Sequence, residues 1–185
     1  MINLIIREYK DNLGSGDDCK FFDIDKTPDH IYFREPKSNY KESLLKSINP
    51  KNKFTFFMDE NMKLLNKIPT DDILKEFVND DILCFSYSLY KDIPVSINYD
   101  APNKLIPSKE TDQFVFWNWS KHYFDYGNPF VLFSGMLFRT QEITKMLSKI
   151  KFNNYDELVE SLQIFQEYPK EMMFSPVTNC LLSDQ

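Results

Sequence analysis

Glycine is scarce in this chain, with 4 residues in 185, beside three cysteines, two histidines and two tryptophans. Neither a P-loop nor a Rossmann glycine fingerprint is present. Cys19, Cys84 and Cys180 lie far apart and are odd in number. That excludes a disulfide framework and zinc-ligand spacing, and reduced, mostly buried thiols are expected. His30 and His122 have no partners at metal-ligand spacing. No basic excess exists: the net charge is −6, and the lysines are scattered among acids. That balance argues against a nucleic-acid backbone as the main partner. No apolar run approaches a transmembrane helix, and the first ten residues lack the basic start and longer apolar run of a signal peptide. A cytoplasmic location is expected.

What is present is a rich supply of core-forming residues. Hydrophobic residues make up 42% and aromatic residues 16% of the chain, enough for a packed core and against disorder. The length fits one domain. Asn, Lys, Ile, Phe and Tyr are abundant, a bias typical of an AT-rich genome, so single Asn and Lys residues carry little weight.

The local pattern reads as strands at 2–6 and 29–33, a helix at 38–48 capped by Ser38, and a strand at 54–58. A helix follows at 70–77, a strand at 82–89, an irregular proline-bearing stretch at 94–107 and an aromatic segment at 114–126. A strand at 131–138, helices at 141–150 and 156–165, and an edge strand in the tail complete the order. Alternation of strand, helix and strand in the first sixty residues suits a parallel α/β sheet with ligand crevices at its carboxyl edge.

Residues 54–61 read Phe-Thr-Phe-Phe-Met-Asp-Glu-Asn. The first five suit a central strand covered on both faces. Asp59, Glu60 and Asn61 bring hard oxygen ligands to the point where that strand leaves the sheet. Such ligands suit Mg²⁺ or Mn²⁺ bridging to phosphates. A polar turn after a core strand is the alternative.

Further along, Trp117-Asn118-Trp119 is followed by His122, Asp125, Tyr126, Gly127 and Pro129. Trp and Tyr carry an apolar face and a polar handle, which suits stacking on sugars, while a packed corner of the core explains them equally well. Asp125 between aromatics is a functional candidate or a capped turn. Ser134-Gly135 interrupts an apolar run and marks either a bulge or the close approach of a ligand.

Five segments together resemble a glycosyltransferase of the GT-A type. They are Phe56-Phe57-Met58-Asp59-Glu60-Asn61, Ile82-Leu83-Cys84-Phe85-Ser86, Trp117-Asn118-Trp119, Asp125-Tyr126-Gly127-Asn128-Pro129 and Ser134-Gly135-Met136-Leu137-Phe138-Arg139-Thr140. They look like a bacterial and viral family whose pattern is a strand ending in Asp-Asp-Asp, then Trp-x-Trp, Asp-x-Gly-x-Pro and Gly-x-x-Phe-Arg-Thr. Compact domains of this kind occur in large DNA viruses of algae, where they are tied to capsid glycans. The match covers roughly residues 50–165, with weaker agreement at 2–9 and at Asn179.

The resemblance implies an α/β, Rossmann-like, mostly parallel sheet flanked by helices in a single compact domain over residues 1–185. Residues 1–62 would form the nucleotide-binding part and 63–185 the sugar and acceptor part. A UDP-sugar would be the donor and a glycan or glycoprotein the acceptor. Arg7, Tyr9, Arg34, Ser38, Asp59, Glu60 and Asn61 would bind the nucleotide-sugar, with Asp59 and Asn61 holding Mn²⁺ or Mg²⁺. Trp117, Trp119, Tyr126, Ser134 and Gly135 would line the sugar and acceptor side. Asp125 would be the first choice of catalytic base, with Glu157 or Glu160 second.

Two positions depart from the family pattern: Asn61 replaces the third acid, and Ser134 stands where related sequences have Asp. Those departures motivate an alternative, a catalytically weak or inactive nucleotide-sugar-binding module serving a partner. A metal-dependent phosphohydrolase is a third and more remote reading, because only one convincing carboxylate cluster is present.

Overall fold

A computed structural model describes residues 2–8, 30–34, 39–59, 62–64, 70–89, 107–119, 130, 133–176 and 180–182. The strands are β1 (Ile2–Glu8), β2 (His30–Arg34), β3 (Phe54–Asp59), β4 (Met62–Leu64), β5 (Ile82–Ser86), β6 (Lys109–Glu110), β7 (Val115–Trp117), β8 (Met136–Arg139), β9 (Glu171–Phe174) and β10 (Cys180–Leu182). The helices are α1 (Tyr40–Ser47), α2 (Thr70–Glu76), α3 (Thr140–Lys149) and α4 (Tyr155–Leu162), the last continued by a 3₁₀ turn at Gln163–Phe165.

Eight strands form one sheet in the order β2-β1-β3-β8-β5-β9-β7-β6, while β4 and β10 pair separately. β1 lies between β2 and β3 and is parallel to both. β8 is antiparallel to both of its neighbours, β3 and β5. β9 runs parallel to β5, and β7 is antiparallel to β9. The expected mostly parallel sheet is thus a mixed one, in which β7 and β8 run against the rest. One sheet joins residues on both sides of position 62.

Side-chain alternation builds two cores, one on each face. Phe54, Phe56 and Met58 of β3 face the same core as Ile73 and Phe77 around α2. Phe57 faces the other way, toward Tyr40 and Leu44 of α1, Ile143 and Leu147 of α3, and Leu158 of α4. Every residue of β3 is buried, as expected for a central strand. Alternation fails at one place: Leu83 and Cys84 are adjacent yet share a core, where the β5–β9 register shifts.

Several expected boundaries move, for local reasons. Of the strand expected at 131–138, β8 starts at Met136, after Gly135 turns the chain with φ 82°, and residues 131–132 lie outside the described residues. β5 stops at Ser86, whose Oγ accepts from the backbone N–H groups of Ser88 and Leu89 at 3.2 and 3.1 Å. Asn39, not Ser38, is the N-cap residue of α1, and it holds φ 61°. The tail supplies an interior strand, β9, besides β10. Ser38 lies outside the described residues, as does the stretch at 94–106.

Candidate functional site

The site grows from strand direction. Parallel strands β1 and β3 end together, and their last register pair is Arg7 with Asp59. Strand order reverses around β1, since the chain passes from β1 to β2 on one side and returns to β3 on the other. A crevice outside the carboxyl ends of strands at such a switch point is where α/β sheets bind ligands. β8 runs the other way, so its entrance lies at the same edge. Gly135 donates its N–H to Phe57 O at 2.7 Å, and its own carbonyl accepts from Tyr87 N–H at 2.9 Å. The Ser134-Gly135 turn thereby becomes a further wall of the crevice.

A small hollow opens there. Its floor is Ile5 and Phe57 from the sheet with Leu44 and Leu158 from α1 and α4. Arg7, Asp59, Ser134, Tyr40 and Tyr155 also line it. Phe133 also lines it and stacks on Phe57 with centroids 4.3 Å apart, which fixes the chain entering Ser134. Arg7 Nε stands 3.2 Å from Asp59 Oδ1, and the two side chains are only 12% and 13% exposed. The Arg7 guanidinium also lies over the Tyr155 ring, 3.6 Å from its centroid. Arg7 is therefore held between a carboxylate and an aromatic face.

Tyr155 is placed by the start of α4. Asn154 caps that helix, its side chain accepting from Glu157 N–H at 2.8 Å. The Glu157 carboxylate reaches back to Asn153 N–H and Nδ2 at 2.9 Å each and to Asn154 Nδ2 at 3.1 Å. This reciprocal arrangement is akin to a capping box, with Glu157 reaching one residue beyond the cap to the N–H of Asn153. Tyr155 and Leu158 then face the hollow while Glu157 does not line it.

Of the sequence-derived site residues, the fold brings Arg7, Asp59 and Ser134 together. Arg34 ends β2 as the register partner of Glu8, at the same sheet edge. Gly135 is the turn beside them. Trp117 and Trp119 are corrected: they are 0% and 3% exposed in the α1/α3/α4 core, so no ring face is left for a sugar. Trp119 packs edge-on against Phe130 with centroids 6.1 Å apart. Glu157 is corrected from catalytic base to capping residue, and Glu160 is exposed on α4 away from the hollow. Tyr9, Glu60, Asn61, Asp125 and Tyr126 lie outside the described residues. Tyr155 was missed, although the spacing of Asn154 and Glu157 signals a helix starting at Tyr155.

Two residues of the resemblance have structural partners. Arg139 donates to the carbonyls of Ile82, Phe77 and Asn79, closing the carboxyl end of α2. Burial pushes the Cys84 thiol well above its ordinary pKa, with a smaller contribution from Glu142. A thiol held neutral in this way is not poised as a nucleophile.

Magnesium and manganese are commonly held by one or two carboxylates together with substrate phosphates. Among the described residues the hollow offers one carboxylate, Asp59, and no group of three His, Cys, Asp or Glu side chains gathers. That donor set excludes a caged structural ion: the one carboxylate is already paired with Arg7, and it would suit a divalent cation only if phosphate oxygens arrived with it. No helix among the described residues is long and apolar enough to cross a membrane. Comparison with protein-family models, curated proteins and solved structures finds no match.

Proposed function

We propose that the chain binds a nucleotide-sugar, with UDP as the nucleotide, and transfers the sugar to a glycan or glycoprotein acceptor as a GT-A type glycosyltransferase. The observation that carries this reading is the Arg7–Asp59 pair at the joint carboxyl end of β1 and β3. A cation and an anion side by side match the two halves of a metal–diphosphate group.

In this reading Asp59 holds the metal, with Asn61 beside it in sequence, and Arg7 meets the diphosphate oxygens. The metal, when bound, supplies Lewis-acid neutralisation of the departing diphosphate. Ser134 and Gly135 line the sugar side, and the apolar floor excludes water from the reacting end. Asp125 remains the proposed base that takes the proton of the acceptor hydroxyl.

A second reading is a binding module of the same fold that holds the nucleotide-sugar without turnover. The single carboxylate in the described hollow favours it. Calorimetric titration of UDP with and without Mn²⁺, on wild type and Asp59→Ala, tests the shared site. Metal-dependent binding lost in the variant supports both readings, and turnover with an acceptor panel then selects the first. Absence of binding in wild type under both conditions overturns both.

A further inference from the structure

The Arg7–Asp59 pair poses a problem for any free cation. Asp59 is the one carboxylate of the described hollow, and a guanidinium already neutralises it. Arg7 cannot simply swing into solvent, because Tyr155 covers it from the other side. A divalent ion entering alone would meet a fixed positive charge a few ångströms away, in a setting where charges are poorly screened. An anion entering alone would meet the Asp59 carboxylate in the same way. A metal–diphosphate complex brings both signs at once.

We propose that Arg7 is a built-in counter-ion that closes Asp59 to free divalent cations and yields it only to a cation arriving with its own anion. The incoming pair exchanges partners with the resident pair. Asp59 passes from the guanidinium to the metal, and Arg7 passes from the carboxylate to the phosphate oxygens. Net charge in the hollow is conserved, so neither side chain is left buried and uncompensated. Tyr155 is the positioning residue that keeps Arg7 close enough to Asp59 for this exclusion to operate.

The idea rests on the proposed metal–diphosphate site, but its test reads the metal alone. Mn²⁺ binding would be measured by the loss of the free-ion paramagnetic resonance signal, without nucleotide, on the full chain. The expected result is weak binding to wild type and at least tenfold tighter binding to Arg7→Gln, abolished again in Arg7→Gln/Asp59→Asn. UDP should change in the opposite sense, binding more weakly to Arg7→Gln in the presence of Mn²⁺. Tyr155→Leu, which loosens Arg7 without removing its charge, should bind Mn²⁺ a few-fold more tightly than wild type. It keeps the test informative if Arg7→Gln fails to fold. Mn²⁺ affinity unchanged in the folded variants overturns the proposal. Failure of UDP to bind wild type in the presence of Mn²⁺ sinks the nucleotide reading instead, and leaves the free-ion comparison to decide the counter-ion role.

Discussion

Arg7 and Asp59 are the last of three register pairs that share one face of the β1–β3 ladder; below them come Ile5 with Phe57, then Asn3 with Thr55. The column is polar at the amino end, apolar in the middle and charged at the carboxyl end. Its charged pair is nearly buried, at 12% and 13% side-chain exposure, so each charge depends on the other. Replacing one partner strands its mate, at a cost of about 3 kcal/mol. Asp59→Asn and Arg7→Gln should each destabilise substantially, and the double variant should cost clearly less than their sum. A coupling of about 1–3 kcal/mol is expected from urea unfolding of the four proteins. Additive effects would show that the pair contributes little to stability.

The foot of the column makes a separate prediction. Asn3 donates to Asn49 O at 3.0 Å and Thr55 Oγ1 at 3.1 Å, and accepts from Asn49 N at 3.1 Å and Asn52 Nδ2 at 2.8 Å. Thr55 in turn contacts Thr140 Oγ1 at 2.9 Å. The network ties the start of β1 to the end of α1 and the start of α3. Asn3→Leu leaves several buried groups unsatisfied and should cost about 2–4 kcal/mol. The rung lies four residues from Arg7, about 13 Å along the strand. Ligand affinity should therefore hold while the urea midpoint falls. A parallel loss of affinity would show that the two ends of the column are coupled.

Much of this arrangement was legible locally. The run Phe-Thr-Phe-Phe-Met followed by Asp announced a covered strand ending in a carboxylate, and Phe54–Asp59 is buried throughout. Ser134-Gly135 announced a break in an apolar run, and Gly135 is a left-handed turn. What failed depended on non-local pairing. Nothing near Met136 tells that β8 inserts backwards between β3 and β5, yet this insertion brings Ser134 to the crevice. Trp117 and Trp119 look the same in sequence whether they face a sugar or a core. Their burial follows from the helices laid over β7 and β9, which local spacing does not encode. The Arg7–Tyr155 stack joins residues from opposite ends of the chain, so only the helix start at Tyr155 could be read in advance.

Glu157 separates a structural from a catalytic carboxylate. Its oxygens hold the backbone and side chain of Asn153 and the side chain of Asn154. Glu157→Ala should lower stability by about 1 kcal/mol, the usual worth of a cap. A general base, by contrast, contributes about 10²–10⁴-fold to turnover. Once a donor and acceptor are in hand, kcat for Glu157→Ala and Glu160→Ala should stay within a few-fold of wild type. A hundredfold fall in either variant, with its stability unchanged, would restore that residue as the base.

Alkaline pH probes the opposite core. Tyr87 is 5% exposed and sits between Phe56 and Phe85, with centroids 4.9 and 4.7 Å away. Burial pushes its phenol well above the ordinary value, because the phenolate would lose its hydration there. An unfolded tyrosine ionises near pH ~10. Above that pH the unfolded chain has released a proton that the folded chain retains, so unfolding is favoured as pH rises. The stability is fully present below the unfolded pKa and is lost progressively above it, by up to about 1.4 kcal/mol per pH unit. The buried Cys84 thiol acts with the same sign from a lower starting pH, since its unfolded form ionises near ~8.5. Urea unfolding between pH 8 and 11.5 should show wild-type stability falling more steeply than that of Tyr87→Phe once pH passes ~10. The two proteins should keep a constant difference below that point. Parallel curves across the whole range would mean that Tyr87 ionises as an exposed phenol does, and that this side of the sheet admits water.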